Sequence, residues 1–282
     1  MVDIVVDGNP RAAVLRLPTA ASGPRAISTQ RAALEAVASS TVPAPRLLWF
    51  DDGEQNPFGC PFIVMERLPG DVPVGWHELP EPRRTALAED AIDVLVRLHA
   101  VDVDRTQVGK TTGSPLMDLD GLQRLFARLA PLPSAVTTAL WWLGRHRPST
   151  VSPRVIVHGD YRMGNFVVEG ERISGVLDWE MAAPGEALVD LAWCFIPVFE
   201  LPGVDEVAMV SRYAARTGLT IDPQEWHWHR LLGYTRLAYY ALAGTRAFDA
   251  GRSADLRLAA LRLQLPVTLD RLAATLTGEA PR

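Results

Sequence analysis

The hydrophobic pattern of the chain changes near residue 70. Before that point, short apolar runs predict strands at residues 2–6 and 12–17, joined by a turn at 7–10 that contains Gly, Asn and Pro. A second turn-rich segment, residues 51–59, links two further strands. This part of the sequence therefore predicts a small β-rich lobe with one helix.

After residue 70 the apolar positions recur at helical spacing. The run that begins at Glu81 places its apolar residues on one face of a helix, at Leu87, Ala91, Val94, Leu95 and Leu98. Pro131 and Pro133 separate the next two predicted helices, and three more complete the chain. These later helices are predicted at residues 120–129, 134–145, 204–217, 223–248 and 253–276. The pattern therefore predicts a mainly helical second lobe.

The composition limits the class of protein. With 282 residues, of which 48% are hydrophobic, the chain can bury a large core, and we expect two lobes. A formal net charge of −5 argues against nucleic acid as the main partner. Cys60 and Cys194 are too few for a disulfide framework or a zinc site, so we expect a reducing cytoplasmic location. The most apolar stretch, residues 187–201, is interrupted by charged residues and a proline, so no membrane span is expected.

Two short motifs carry the chemistry. Residues 158–165 read His-Gly-Asp-Tyr-Arg-Met-Gly-Asn, and residues 175–180 read Gly-Val-Leu-Asp-Trp-Glu. Phosphoryl transfer needs one carboxylate to orient the attacking hydroxyl and accept its proton, and oxygen ligands to hold Mg²⁺ on the nucleotide phosphates. Asp160 fits the first role, and Asn165 and Asp178 fit the second.

The residues around these motifs predict how they come together. Residues 154–157 form a short apolar, β-branched run that ends at His158, and residues 165–178 read as two strands around a Glu-Gly-Glu turn. This order brings Asp160, Asn165 and Asp178 to the same end of a small hairpin system. Their side chains could then converge on one ion.

Here the sequence resembles a known family, the aminoglycoside phosphotransferase/choline kinase-like group with a protein-kinase-like fold. The two motifs are most similar to those of a branch that includes the phosphotransferase domain of acyl-CoA dehydrogenase fusions. The resemblance extends from Ala12 to about Trp193, and further matching stretches lie at 61–70, 98–102 and 184–193. It implies an α+β, two-lobe fold with an N-terminal nucleotide-binding lobe at residues 1–69. The larger, mainly helical lobe at residues 70–282 would carry the catalytic hairpins and bind the substrate.

The resemblance also implies residue roles. Asp160 is expected as the catalytic base and Arg162 as a cation that neutralises charge on the transferred phosphate. Asn165 and Asp178 are expected as Mg²⁺ ligands, and His158 as a structural brace of the loop. The backbone at the hinge would meet the edge of the nucleotide base, and apolar side chains would cover its faces. These contacts are expected at Glu66, Leu68, Val14, Val167 and Leu177.

Two departures from the family pattern concern the nucleotide site. The position that usually carries a phosphate-binding Lys is Arg16, and the helical Glu position is Gln30, which is expected to orient Arg16 by a hydrogen bond. Glu35 is the nearest helical carboxylate, about one turn further along. A first strand and glycine-rich loop are also missing, because Gly8 is the one glycine before Gly23. We therefore expect either a start upstream of Met1 or an open nucleotide cleft, and favour the truncated start.

Two acidic residues near the motifs have more than one interpretation. Asp190 could serve as a third metal ligand, but its helical position favours a hydrogen-bonding brace of the catalytic loop. Glu180 follows Asp178 by two residues. It would either approach a second Mg²⁺ through water or pair with an Arg, and the sequence favours neither.

The sequence supports more than one function. The favoured hypothesis is a Mg²⁺-dependent kinase that moves the γ-phosphate of ATP or GTP to a hydroxyl of a small molecule. The alternative is a catalytically impaired, kinase-like nucleotide or metabolite binding protein. A metal-dependent hydrolase that uses His158 and Asp160 is disfavoured, because the sequence lacks the further His and carboxylate ligands. Family members act on aminoglycosides, choline, homoserine, macrolides and hydroxyacyl thioesters. The branch resemblance favours an acyl-CoA or lipid-like hydroxyl as acceptor, while the oligomeric state stays open.

Overall fold

The computed structural model describes residues 2–6, 9–19, 23–53, 55–73, 79–111, 113–149, 153–196 and 204–278. The chain divides into two compact units. The first comprises residues 1–113 and 152–220, and the second comprises residues 114–151 and 221–282. The predicted lobe boundary at residues 69 and 70 stays a prediction.

An antiparallel four-stranded sheet forms the first part of the first unit. Its strand order is β1 (Val2–Val6), β2 (Asn9–Arg16), β4 (Phe62–Glu66) and β3 (Leu47–Asp51). β2 begins three residues earlier than predicted, because Asn9 and Pro10 pair with β1 instead of belonging to a turn. Helix α1 (Gly23–Val37) packs against β3 and β4. Ala13, Phe62 and Val64 form the small core of the sheet, with Leu15 and Leu48 packed against it.

The described remainder of the first unit contains two antiparallel strand pairs and three α-helices. β5 (Arg154–Val157) pairs with β8 (Ala183–Glu186), and β6 (Phe166–Glu169) pairs with β7 (Arg172–Val176). Helix α2 (Glu81–His99) buries the apolar face that the sequence predicts and packs against α6 and β7. The other helices are α5 (Ala187–Cys194) and α6 (Glu206–Thr217). The predicted strand, loop and hairpin order around the two motifs is therefore present.

Four helices form the described part of the second unit. They are α3 (Leu119–Ala127), α4 (Ser134–Arg145), α7 (Pro223–Asp249) and α8 (Leu256–Thr277). Asp118, Asp222 and Asp255 begin α3, α7 and α8, and each side chain accepts hydrogen bonds from backbone N–H groups of the first turn. α7 packs against α8 and α4. The predicted bounds of all four helices hold to within three residues.

The observed elements make an α+β fold with a small sheet part and a mainly helical larger part. This agrees with the predicted fold class. Among the described residues, no helix combines the length and the apolar character needed to span a membrane.

Candidate active site

Residues 158–165 follow β5, and we call them the catalytic loop after the predicted role of Asp160. Asp160 lies at the centre of a hydrogen-bond network in this loop. Arg162 Nε lies 3.0 Å from both carboxylate oxygens of Asp160. Trp193 Nε1 on α5 donates to Asp160 Oδ1 at 2.9 Å, and Asn165 Nδ2 donates to Asp160 Oδ2 at 2.8 Å. Only 18% of the Asp160 side chain is exposed. Donors on several sides therefore fix the direction in which its carboxylate points.

Asn165 joins the catalytic loop to residues 177–181, which we call the metal loop because Asp178 is the predicted Mg²⁺ ligand. It ends a short 3₁₀ turn, Met163–Asn165, and its Nδ2 also donates to the Asp160 backbone oxygen at 2.9 Å. Because the amide nitrogen makes both side-chain hydrogen bonds, Oδ1 is the atom suited to coordinate a cation. The Leu177 N–H donates to the Asn165 carbonyl oxygen at 2.8 Å, directly before Asp178. These bonds join Asn165 to Asp160 and to the backbone next to Asp178, while convergence of the three side chains on one ion stays a prediction.

Asp178 has an unusual backbone conformation. Its φ of 66° lies in the left-handed region, and no other non-glycine residue in the described part of the chain has a positive φ. Asp tolerates this region better than most residues, but such conformations still cost about 1–3 kcal/mol and concentrate at functional sites. Asp178 lies two residues after the end of β7 and directly precedes the 3₁₀ turn Trp179–Met181.

Arg16 on β2 reaches this turn. Its Nη2 donates to Asp178 Oδ1 at 2.8 Å and to Glu180 Oε2 at 2.6 Å. Glu180 therefore pairs with an Arg, which is one of the two interpretations that the sequence left open.

The hydrogen bond predicted between Gln30 and Arg16 is wrong. Gln30 is 2% exposed, and its Nε2 donates to Met65 Sδ at 3.4 Å. The side chain is turned towards the interior between α1 and β4, where Arg16 is not its partner. Glu35 also does not reach Arg16, because it accepts a 2.9 Å hydrogen bond from Arg31 on the same helix. The carboxylates that neutralise Arg16 come from the metal loop.

His158 acts as a brace of the loop, as the family resemblance implies. It is fully buried; its Nδ1 accepts the Asp160 N–H at 3.2 Å, and its Nε2 lies 2.9 Å from the Leu177 carbonyl oxygen. Burial lowers the pKa of His158, against the opposing charges of Asp190 and Asp160. A neutral ring with its proton on Nε2 satisfies both contacts. His158 thereby links the catalytic loop to the metal loop.

Asp190 on α5 accepts hydrogen bonds from the backbone of the catalytic loop. Its Oδ2 accepts the His158 N–H at 2.5 Å, and its Oδ1 accepts the Gly159 N–H at 2.9 Å. The side chain is fully buried, and His99 Nε2 lies 3.5 Å from Oδ2. Burial alone would raise the pKa of Asp190, but the contact with His99 and the nearby His158 hold this pKa below its usual value. The prediction that Asp190 braces the loop is confirmed.

The residues predicted to contact the nucleotide base lie on two substructures. Val14 on β2 is paired with Met65 on β4, next to Glu66, and the Glu66 side chain is exposed. Leu68 and Val167 approach each other over Gly175, where an added Cβ would overlap Leu68 Cδ1 and lie 3.6 Å from Val167 Cβ. Their role in nucleotide binding stays a prediction.

The segment after β4 is also tied to the β6–β7 hairpin. The Val168 N–H donates to the Asp71 oxygen at 2.9 Å, and the Asp71 N–H donates to the Val168 oxygen at 3.3 Å. Ser174 Oγ donates to the Pro69 oxygen at 3.1 Å. These bonds hold Leu68 near the hairpin.

One site residue was not predicted. Trp193, whose indole contacts Asp160, lies three residues after Asp190 on α5, so both face the catalytic loop. The i, i+3 spacing from Asp190 was the available signal.

The donor set fits a magnesium ion. Asn165 and Asp178 supply one amide oxygen and one carboxylate, and Mg²⁺ prefers oxygen ligands while it keeps several waters and phosphate oxygens. No group of three or more His, Cys, Asp or Glu side chains suited to a metal occurs within the described ranges. Such a group is typical of an all-protein metal cage, which a nucleotide-bound magnesium ion does not need.

Comparison with known proteins decides the family. The model of the phosphotransferase enzyme family matches residues 4–234. The chain belongs to this family. Membership in this family supports a kinase-like phosphotransferase function.

Two curated relatives of this phosphotransferase are larger proteins, of which only a segment matches the chain. The chain is 28% identical over 177 residues to acyl-CoA dehydrogenase family member 10 of Mus musculus, a match that covers 60% of the chain and 16% of the relative. It is 24% identical over 226 residues to family member 11 of Homo sapiens, which covers 70% of the chain and 28% of the relative. The matches therefore span about a sixth of the first relative's length and little more than a quarter of the second's. The predicted branch resemblance is confirmed.

Solved structures share the fold of this phosphotransferase. A candidate aminoglycoside phosphotransferase of Ralstonia eutropha has a TM-score of 0.80 at 20% identity, covering 99% of this chain and 89% of that one. The GDP and kanamycin complex of APH(2")-IIIa gives 0.68 at 18% identity, covering 99% and 90%. A thermostable mutant of APH(4)-Ia with AMP-PNP and hygromycin B gives 0.66 at 17%, covering 98% and 90%. These likenesses confirm the protein-kinase-like fold.

Proposed function

We propose that the protein transfers the γ-phosphoryl group of ATP or GTP to a hydroxyl of a small molecule, with Asp160 as the base. The observation that carries the proposal is the arrangement of the Asp160 carboxylate. Three side chains donate to it, and the backbone of its loop is held by Asp190. Phosphoryl transfer depends almost entirely on positioning and electrostatics, so a carboxylate fixed from several sides suits the reaction.

In the proposed reaction Asp160 accepts the proton of the attacking hydroxyl and orients its oxygen towards the γ-phosphate. Arg162 contacts Asp160 through Nε, which places its guanidinium beside the proposed base, where it would neutralise charge on the transferred phosphate. Gly164 gives this guanidinium room, because a Cβ at that position would overlap Arg162 Nη1. Arg16 supplies a second cation for the nucleotide phosphates.

Asn165 and Asp178 would hold Mg²⁺ through an amide and a carboxylate oxygen. When bound, the ion would supply positive charge that stabilises the negative charge on the nucleotide phosphates. Val14, Val167 and Leu177 would cover the faces of the nucleotide base. The backbone from Glu66 to Leu68 would meet its edge. GDP and AMP-PNP in related structures are the reason for testing both guanine and adenine nucleotides.

For the acceptor we favour a hydroxyl on an acyl thioester or a similar lipid-like molecule. The curated relatives join a matching segment to the remainder of an acyl-CoA dehydrogenase family protein, which makes acyl-CoA chemistry the natural first class to screen. Aminoglycosides form the second class, since kanamycin and hygromycin B are bound in the related structures. We place the reaction in the cytoplasm, consistent with the fact that Cys60 and Cys194 form no disulfide bond.

One observation favours the alternative, an impaired kinase-like binding protein. Asp178 Oδ1 lies 2.8 Å from the Arg16 guanidinium, which stands where the family usually has a Lys. A cation already paired with Asp178 would compete with Mg²⁺ for this carboxylate.

The experiment compares the natural protein with Asp160→Ala and Asp178→Ala. Nucleotide affinity comes from thermal stability with ATP or GTP, each with and without Mg²⁺, because a ligand that binds the folded state raises its stability. Turnover comes from ADP or GDP release with each acceptor class. We expect Asp160→Ala to abolish transfer with nucleotide binding nearly intact, and Asp178→Ala to weaken Mg²⁺-nucleotide binding. Equal turnover of Asp160→Ala would refute its role as base. Nucleotide binding without turnover of any acceptor in the natural protein would favour the impaired binder.

A further inference from the structure

Arg16 is held by two carboxylates that differ in the roles they can play. Both contacts use its Nη2 atom, at 2.8 Å to Asp178 and 2.6 Å to Glu180. The three side chains are only a quarter to a third exposed, so the charges are partly shielded from water. A metal at Asp178 would compete with the first contact. The second contact, to Glu180, is free of that competition.

The helix that usually supplies a carboxylate to this position does not do so here. α1 contains one carboxylate, Glu35, which is paired with Arg31. Gln30 is buried, its Nε2 donates to Met65, and its Oε1 has no hydrogen-bond partner in the described part of the chain. α1 does pack against the turn Trp179–Met181, which carries Glu180. The helix therefore supports the carboxylate indirectly, by holding the turn.

We infer that Glu180 is the positioning residue for Arg16, in place of a carboxylate on α1, and thereby sets nucleotide affinity. Contact through Nη2 leaves the Nε and Nη1 donors of the guanidinium to face phosphate oxygens. A long Arg side chain loses rotamer freedom when it binds phosphate, and a carboxylate that already holds it extended reduces that loss. This inference rests on the proposed nucleotide-dependent function and assigns Glu180 to the Arg rather than to a second metal ion.

The test is a double-mutant cycle on nucleotide affinity. Dissociation constants of ATP and GTP are measured with Mg²⁺ and with EDTA for the natural protein, Arg16→Ala, Glu180→Gln and the double variant. Glu180→Gln should weaken binding about fivefold or more in the natural background and less than about twofold beside Arg16→Ala, the coupling expected of residues in direct contact. The loss should persist in EDTA, because the role of Glu180 does not pass through the metal. Glu35→Gln, the same substitution at a carboxylate of α1, should leave affinity unchanged.

The outcomes separate this inference from the proposed function. A Glu180→Gln effect of equal size with and without Arg16 would overturn the inference alone. An effect that vanishes in EDTA would also overturn the inference and would assign Glu180 to the metal. Absence of ATP and GTP binding by the natural protein, with or without Mg²⁺, would overturn both. Urea unfolding of the four proteins without nucleotide identifies any variant that has lost its fold.

Discussion

Trp193 on α5 donates a hydrogen bond of 2.9 Å from its indole nitrogen to the carboxylate of Asp160. The contact joins a fully buried aromatic residue to the proposed base. Since Asp190 lies on the same helix and holds the backbone of the loop, α5 positions both the main chain at residues 158 and 159 and the side chain of the proposed base. The helix is thus the support on which the proposed chemistry depends.

Trp193→Phe should lower kcat by about 10-fold or more, because a hydrogen bond to a charged group contributes about 1.5–3 kcal/mol. Nucleotide affinity should change little, since the indole donates to Asp160, which is not among the residues proposed to bind the nucleotide. Steady-state ADP release at saturating nucleotide measures the first quantity, and thermal shift measures the second. Trp228→Phe is the matched control, because Trp228 also loses an indole hydrogen bond, to the Leu143 oxygen. An equal fall in kcat for both variants would indicate a general effect of stability.

Asp190→Ala should destabilise the protein by about 3 kcal/mol, because two buried N–H groups lose their acceptor at about 1–3 kcal/mol each. Urea unfolding checks the value. Asp118→Ala serves as the control, since the exposed Asp118 side chain also accepts a backbone N–H, that of Gly121. Loss of this helix N-cap should cost about 1 kcal/mol. Similar costs for the two substitutions would show that Asp190 does not brace the loop.

These contacts show which parts of the site could be predicted from the sequence. Asp160, Asn165 and Asp178 could be brought together in advance because fixed spacing along a strand, a loop and a hairpin leaves little freedom. The helix bounds followed from apolar periodicity and from the prolines that separate α3 from α4.

The contacts of Arg16 and Trp193 could not be predicted in the same way. Arg16 and Glu180 are 164 residues apart, and Asp160 and Trp193 are 33 apart. Which long side chain meets which partner depends on rotamers and on packing between elements. The wrong prediction for Gln30 has this cause: its place along α1 was read from the family pattern, but its side chain turns towards Met65.

The stability of the protein should fall as the pH drops below about 6.5, the ordinary pKa of His. Burial lowers the pKa of His158 in the folded state, while Asp190, Asp160 and Asp178 face it with opposing charge. Below the pKa of His158 in the unfolded chain, this residue is protonated in the unfolded state but stays neutral in the folded state. Acid therefore favours unfolding. Above that pKa, His158 is neutral in both states and contributes no pH dependence. Asp190, with a lowered pKa, loses its contribution only in stronger acid.

Melting temperatures between about pH 7.5 and about pH 5.5 measure this effect. His158→Gln, which can still donate to the Leu177 oxygen, should flatten the profile although it lowers stability throughout. His146→Gln removes an exposed His and should leave the profile as it is in the natural protein. A profile of His158→Gln as steep as the natural one would show that other groups cause the acid sensitivity.

Gly175→Ala should weaken nucleotide binding several-fold while the protein stays folded. An added Cβ at Gly175 would overlap Leu68 Cδ1, the far end of a flexible side chain, so Leu68 can move without a shift of the backbone. Its new position would intrude on the space where the nucleotide base is proposed to lie, between Val167 and the segment after β4. ATP and GTP affinities by thermal shift check the direction. Leu68→Ala combined with Gly175→Ala should restore binding, because the smaller side chain makes room for the new methyl group. An unchanged nucleotide affinity in Gly175→Ala would place the nucleotide base elsewhere. So would an equal loss of affinity in the single and the double variant.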